Sequence, residues 1–201
     1  MAVVSRSPLY IVVSKPAPGN KPPWTLPAKA AYSKFDGKRA QRYFGESYEI
    51  PSFFPILSLL VSHPMSTWKK ADGIQPQRAL AYIKQTRSNQ VFESAFLVVF
   101  QALWKDQLDL SSPENLAVAL GRVFSEEEVR EILSAAGTPK IKADLQAITE
   151  RAVKELGAFG CPWFWVRNGK KEEPFFGSDR FHYMWDYLEV PHRDLELRAK
   201  L

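Results

Sequence analysis

From residue 77 to residue 157 the apolar positions recur at helical spacing, and polar punctuation separates one run from the next. Gln77–Thr86 and Gln90–Trp104 carry apolar patterns of period 3.6 and are predicted helices. Ser112-Pro113-Glu114 reads as a helix start, with a capping serine, a first-turn proline and an early acid. Ser125 to Glu128 has the spacing of a capping box, and Gly137 is expected to end that helix. Thr138-Pro139 then opens a helix to Gly157, with Ile141, Leu145, Ile148 and Ala152 along one face. Such stripes are core-facing.

After Gly157 the period changes. Gly160-Cys161-Pro162 leads into a short aromatic and β-branched run, Trp163–Val166, which reads as a strand. Asn168-Gly169 follows as the two central residues of a tight hairpin, and Glu173–Phe176 is the returning strand. Gly177-Ser178-Asp179-Arg180 then introduces a last helix ending near Leu188. Before residue 77 the pattern is weaker. A strand is expected at Leu9–Val13, a proline-rich connector at Gly19-Asn20-Lys21-Pro22-Pro23, and a basic helix over Ala28–Phe44. Pro51–Pro76 is broken by prolines and Gly73 and reads as irregular.

The order helix, X-Pro, strand, tight turn, strand, glycine, helix is that of the carboxyl-terminal half of a thioredoxin-like fold, in which that proline is usually cis. The predicted class is therefore α/β: a thioredoxin-like domain, incomplete at its amino-terminal half, with an inserted all-helical domain. The boundaries expected are 1–48 for the amino-terminal remnant, 49–137 for the helical insertion and 138–201 for the carboxyl-terminal half.

Composition narrows the function. With 27 Lys and Arg against 22 Asp and Glu, the chain is mildly basic, but no basic run exceeds two residues and the aromatics fall in apolar clusters. Nucleic acid is not the expected partner. The longest apolar stretch, Phe53–Val61, contains Pro55 and Ser58, well short of the ~18 residues of a spanning helix, so no membrane is expected. The single cysteine, Cys161, excludes an internal disulfide and a Cys-X-X-Cys redox pair, and the three scattered histidines offer no metal spacing. The last three residues, Ala199-Lys200-Leu201, are a variant of the peroxisomal import tripeptide, so the peroxisome is the expected compartment, with the mitochondrion beside it.

Three constellations carry candidate chemistry. Ser178-Asp179, expected to cap the last helix, combines helix-terminal N–H groups for a carboxylate with a side-chain carboxylate for an ammonium. That pair suits the α-carboxyl and α-amino groups of an amino acid; the plain alternative is a cap alone. Cys161-Pro162 would turn main-chain N–H and C=O groups outward for a peptide-like ligand, or be only a rigid turn. Asn20 and Lys29 offer an amide and a point charge for a second carboxylate.

Taken together, Gly19-Asn20-Lys21-Pro22-Pro23, Leu26-Pro27-Ala28-Lys29, Thr138-Pro139-Lys140-Ile141-Lys142, Gly157-Ala158-Phe159-Gly160-Cys161-Pro162 and Phe176-Gly177-Ser178-Asp179-Arg180 closely resemble the kappa-class glutathione transferases. They also resemble the related 2-hydroxychromene-2-carboxylate isomerases. The resemblance implies a glutathione-dependent enzyme that conjugates glutathione to a small electrophile through a stabilised thiolate, with peroxidase activity a further expectation. Its alternatives are a glutathione-dependent isomerase and a glutathione-binding chain without turnover. By carry-over, Asn20 and Lys29 contact the glycyl side, and the main chain of Cys161 before Pro162 pairs with the cysteinyl unit. Ser178 and Asp179 then hold the γ-glutamyl end, with Arg180 beside them. A homodimer and no metal are implied as well.

Two stretches depart from the family. Its catalytic serine stands in a Ser-Pro-Tyr-type turn more than thirty residues before the Gly-Asn-Lys-Pro-Pro segment, and here only eighteen residues precede Gly19. The segment carrying that serine is read as absent, so no catalytic residue is assigned; Ser5 and Ser7 stand too close to Asn20 for a helix and a returning strand between them. The sheet is expected to lack its central first strand unless Leu9–Val13 moves in beside the hairpin. Leu60–Gln75 matches nothing in the family and reads as a loop.

Overall fold

The computed structural model describes residues 3–5, 26–47, 49, 74–160, 162–177 and 179–192. The chain forms two compact units, one from residues 8–149 and one from residues 1–7 together with 150–201.

In the first unit local signals set the helix ends. After α1 (Pro27–Phe44) come α2 (Gln75–Thr86), α3 (Asn89–Trp104), α4 (Pro113–Leu120), α5 (Glu126–Ala136) and α6 (Pro139–Glu150). Helix α2 starts two residues earlier than the pattern predicts. Pro76, read as a breaker, sits in its first turn, where the missing N–H has no helical partner to lose. Ser88 Oγ caps α3 by accepting from Val91 N, and Ser112 Oγ caps α4 by accepting from Asn115 N. At α5 the expected capping box forms in both directions: Ser125 Oγ accepts from Glu128 N at 3.3 Å, and Glu128 Oε2 accepts from Ser125 N at 3.0 Å.

Helices α2 to α5 close around one core, in which α2 packs on α3 and α5 while α4 joins the other two. Leu80, Ile83, Leu116, Leu120 and Ile132 are fully buried at its centre. Arg87, at the end of α2, pairs with Glu131 of α5 at 3.2 Å, and the Tyr82 hydroxyl donates to the same carboxylate. Helix α6 joins through Ile141 and Leu145, which pack against Ala81. The Thr138-Pro139-Lys140 motif has a structural role here. Thr138 Oγ1 accepts from Ile141 N at 3.4 Å, and Lys140 Nζ reaches Asp144 at 2.6 Å and Gln85 of α2 at 3.2 Å.

Past Glu150 the helix widens into a π-helical turn, Arg151–Glu155. Gly157 then ends it with φ 69°, and Ala158 N donates back to Ala152 O at 2.8 Å, one residue wider than the usual Schellman bond, as the π-helical turn before it requires.

The second unit carries the sheet, in the order β1 (Val3–Ser5), β2 (Trp163–Asn168), β3 (Lys171–Phe176), antiparallel throughout. Two expectations change. The expected strand Leu9–Val13 lies outside the described residues, and the strand beside the hairpin is Val3–Ser5, with Val4 opposite Val166. It occupies the place of the central first strand that the sequence reading left vacant. The hairpin loop is also shifted by one residue. Asn168 is opposite Lys171, so Gly169-Lys170 are the central pair. Gly169 has φ 61° and Lys170 is not left-handed, as a type II′ loop requires. Asn168 is held in the strand by its side chain, whose Nδ2 donates to Tyr187 O at 2.8 Å.

Helix α7 (Phe181–Tyr187) covers the sheet face that carries Phe164 and the fully buried Val166. Phe164 meets Phe181 edge-on at 5.7 Å, and Phe175 meets Tyr187 at 5.5 Å.

Candidate functional site

Two of the sequence motifs converge at the open end of the hairpin. Pro162 O accepts from Gly177 N at 3.0 Å, extending the ladder one step beyond the Trp163–Phe176 pair. Just before this, Phe159 packs on Phe176 with ring centroids 4.6 Å apart and meets Trp163 edge-on at 5.2 Å. Both glycines have a steric reason. A Cβ on Gly160 would stand 2.7 Å from Cε2 of Phe176, so glycine lets the chain lie against that ring without displacing it. Gly177 has φ 89°, and a Cβ there would stand 2.5 Å from Oδ1 of Asp179, so glycine allows the carboxylate to fold back over the turn.

The expected site residues fall as follows. Asn20, Cys161 and Ser178 lie outside the described residues. Lys29 is exposed in the first turn of α1, in the unit formed by residues 8–149. Pro162, Asp179 and Arg180 belong to the other unit and lie around the turn just described. The helix-capping expectation is corrected. Helix α7 begins at Phe181 with Arg180 as its N-cap and no side-chain cap, so the Asp179 carboxylate is not a cap. Seven residues also make a weak dipole, since few peptide units are aligned behind the terminus. What the turn presents is an exposed ion pair, with Arg180 Nε 3.5 Å from Asp179 Oδ2 and both side chains more than half in solvent.

Beside this turn lies a cleft of about 470 Å³. Its walls include Phe159, Phe164, Phe176, Phe181, Tyr183 and Met184, and Arg180 is its one charged lining residue among the described residues. Phe181 and Tyr183 carry no functional assignment in the sequence analysis. The available signal was the density of rings in Phe181–Tyr187, where Phe181, Tyr183, Trp185 and Tyr187 alternate with other residues. Trp163 does not line the cleft; its Nε1 is buried without an acceptor among the described residues. On the far part of the hairpin, Glu172 accepts from Trp165 Nε1 at 2.7 Å and pairs with Arg167, and these hydrogen bonds hold its carboxyl below the ordinary range. No cluster of three or more His, Cys, Asp or Glu suited to a metal occurs among the described residues.

Similarity to known proteins bears on the family. The family described as DSBA-like thioredoxin domain matches residues 3–189. Glutathione S-transferase kappa 1 of Homo sapiens is 27% identical over 167 residues, covering 83% of this chain and 69% of that protein. Glutathione S-transferase kappa 1 of Caenorhabditis elegans is 25% identical over 185 residues, with coverages of 92% and 76%. Glutathione s-transferase kappa 2 of the same organism is 26% identical over 176 residues, with coverages of 85% and 71%. The resemblance carried by the sequence motifs and the similarity of whole chains therefore lead to the same kappa-class relatives.

Proposed function

Because the chain belongs to the DSBA-like thioredoxin domain family, we propose that it is a glutathione transferase whose thiol site is built on the turn joining Pro162 to Asp179. The observation that carries this reading is the closure of two motifs into one cluster by the Gly177–Pro162 hydrogen bond and the packing of Gly160 under Phe176. Glutathione lies along this turn. The main chain of Cys161 pairs with its cysteinyl unit, and Ser178 with the Asp179 carboxylate takes the γ-glutamyl carboxylate and ammonium. The reaction is a displacement: the thiolate sulfur forms a bond to the electrophilic atom, and the leaving group departs with its electron pair.

A hydroxyl near the sulfur keeps the thiolate populated. The pairing of β1 with β2 supports Ser7 for that role, because Ser7-Pro8 comes one residue, Arg6, after the strand, much as the Ser-Pro turn follows the first strand in the resembling family. A second reading, binding without turnover, draws support from the spacing of Ser7 and Asn20. Only twelve residues, Pro8–Gly19, separate Ser7 from Asn20, too few for both a helix and a returning strand.

Calorimetric titration of glutathione into the full chain and into Asp179→Ala tests the site. Saturable binding that the substitution abolishes is the expected outcome. Binding unaffected by it would remove the γ-glutamyl assignment.

A further inference from the structure

Helix α1 differs from the other described helices of its unit, because none of its described side chains is buried. Tyr32, Phe35, Tyr43 and Phe44 are 58%, 64%, 68% and 60% exposed, although rings of this size are ordinarily covered. The helix is nonetheless anchored: Glu46, just past its end, pairs at 2.9 Å with Lys105, just past the end of α3. Its charge is one-sided. Lys29, Lys34, Lys38, Arg39 and Arg42 stand against a single acid, Asp36, which accepts from the Tyr32 hydroxyl at 3.3 Å. Lys38, Arg39 and Arg42 have no ionic partner among the described residues. At about 100° per residue, Arg42, Phe35, Arg39, Tyr32 and Tyr43 fall within one arc of roughly 100°. Lys38 and Lys29 stand just beyond its two edges, and the far side carries the small residues Ser33, Gly37 and Ala40.

We propose that α1 docks the protein on the surface of an anionic lipid bilayer, lying flat with this arc toward the headgroups. Eighteen residues give a helix about 27 Å long, enough to lay Tyr32, Phe35 and Tyr43 along the surface together. The rings enter the boundary between headgroups and acyl chains, while Arg39 and Arg42 run their stems beside them and meet lipid phosphates. A surface helix of this kind is distinct from a spanning one, and no described helix is long and apolar enough to cross a membrane. Charge complementarity sets the sign of the lipid. The interleaving of rings and cations favours lipid over a protein partner. The centre of a protein interface is depleted of charge, whereas every ring on this arc has a Lys or Arg three or four residues away. Drying the arc against a protein would strip water from the arginines, but a headgroup layer holds ring and cation at the same depth.

The test is co-sedimentation of the full chain with vesicles of phosphatidylcholine alone and of phosphatidylcholine carrying roughly one-third phosphatidylserine. Binding to the anionic vesicles only, weakening as salt rises, is the expected result. Arg39→Gln and Arg42→Gln should each weaken it roughly fivefold, the scale of one cation at an anionic surface. Phe35→Gln and Tyr43→Gln leave the charge unchanged and should also weaken it severalfold. All four side chains are exposed and glutamine is a good helix former, so circular dichroism should show unchanged helix content. No binding to anionic vesicles overturns the inference. So does equal binding to both kinds of vesicle, or binding that the arginine variants leave intact. Ring variants that bind as the parent does would reduce the effect to general charge attraction and overturn the docking geometry. Tighter binding of a single-stranded oligonucleotide, lost in the same variants, would assign the face to nucleic acid instead.

Discussion

Adding one methyl group at Gly160 tests whether the two motifs truly touch. The alanine Cβ would stand 2.7 Å from Cε2 and 3.1 Å from Cζ of Phe176, where carbon atoms normally keep about 3.5–4.0 Å. The ring must therefore withdraw by roughly 0.8 Å. An isolated phenyl group does so easily by turning, but this one is boxed in. Phe159 lies against it at 4.6 Å, and Trp163 is its cross-strand neighbour. Overpacking of this kind costs about 1–3 kcal/mol. An opposing term exists, because Gly160 is not in the left-handed region and alanine would restrict the unfolded chain, a gain of about 0.4–1 kcal/mol.

The net expectation for Gly160→Ala is a loss of about 0.5–2 kcal/mol, or a melting temperature lower by roughly 2–6 °C. Urea denaturation followed by tryptophan fluorescence measures it, with Phe176→Leu as the second arm of a double-mutant cycle. Leucine lacks the far ring carbons, so in its presence the Gly160→Ala penalty should vanish and the entropic gain should emerge. A Gly160→Ala chain as stable as the parent, with no coupling to Phe176, would refute the close approach and with it the packing explanation for the glycine.

Two further predictions concern the helical unit. Ile132→Ala empties a fully buried position among α2, α4 and α5 and should cost about 2–5 kcal/mol, read as a lower urea midpoint. Acid should weaken the same unit. The Tyr82 hydrogen bond, aided by Arg87, holds the Glu131 carboxyl below its ordinary 4.5, and Lys140 with Gln85 holds Asp144 below its ordinary 3.8. Folded-state values lower than unfolded ones mean stability that is complete above pH 4.5 and lost as pH falls through the depressed values. The urea midpoint should drop between pH 5 and pH 3, less steeply in Glu131→Gln; an equal drop in both chains would rule out this carboxylate as a source.

What the sequence made legible was local. Ser112 and Ser125 each bond a backbone N–H three residues on, so their helices could be placed from spacing alone, and Ser88 caps α3 in the same way without having been read as a cap. The same holds for Gly157, whose positive φ ends a helix within one turn. The misses were settled at a distance. Asn168-Gly169 is a strong local turn signal, yet Asn168 is drawn into the ladder by a bond to Tyr187, nineteen residues away. Val3–Ser5 is three residues long and has no periodicity to detect; its pairing with Trp165–Arg167 spans the chain. Pro76 misled because a proline that breaks a helix also starts one. In the candidate site the glycines and the Asp179-Arg180 pair were visible as a motif. The aromatic cleft was not, because it exists only when α7 lies over the hairpin.

Ser7 decides between catalysis and mere binding, and the size of its effect can be worked out beforehand. A cysteinyl thiol with the ordinary pKa of about 8.5 is only ~3% thiolate at pH 7. A hydroxyl that lowers the thiol pKa below neutrality can therefore raise the reactive fraction by at most about thirtyfold, and the advantage fades as pH rises past the free value. If Ser7 has this role, Ser7→Ala should conjugate chlorodinitrobenzene more slowly than the parent at pH 7, by a factor approaching thirty, and the two rates should converge near pH 9.5. Convergence separates a lost thiolate from a damaged fold, which would slow the reaction at every pH. Equal rates at pH 7 would remove Ser7 from the mechanism. A parent chain that binds glutathione but forms no conjugate at either pH would establish the reading without turnover.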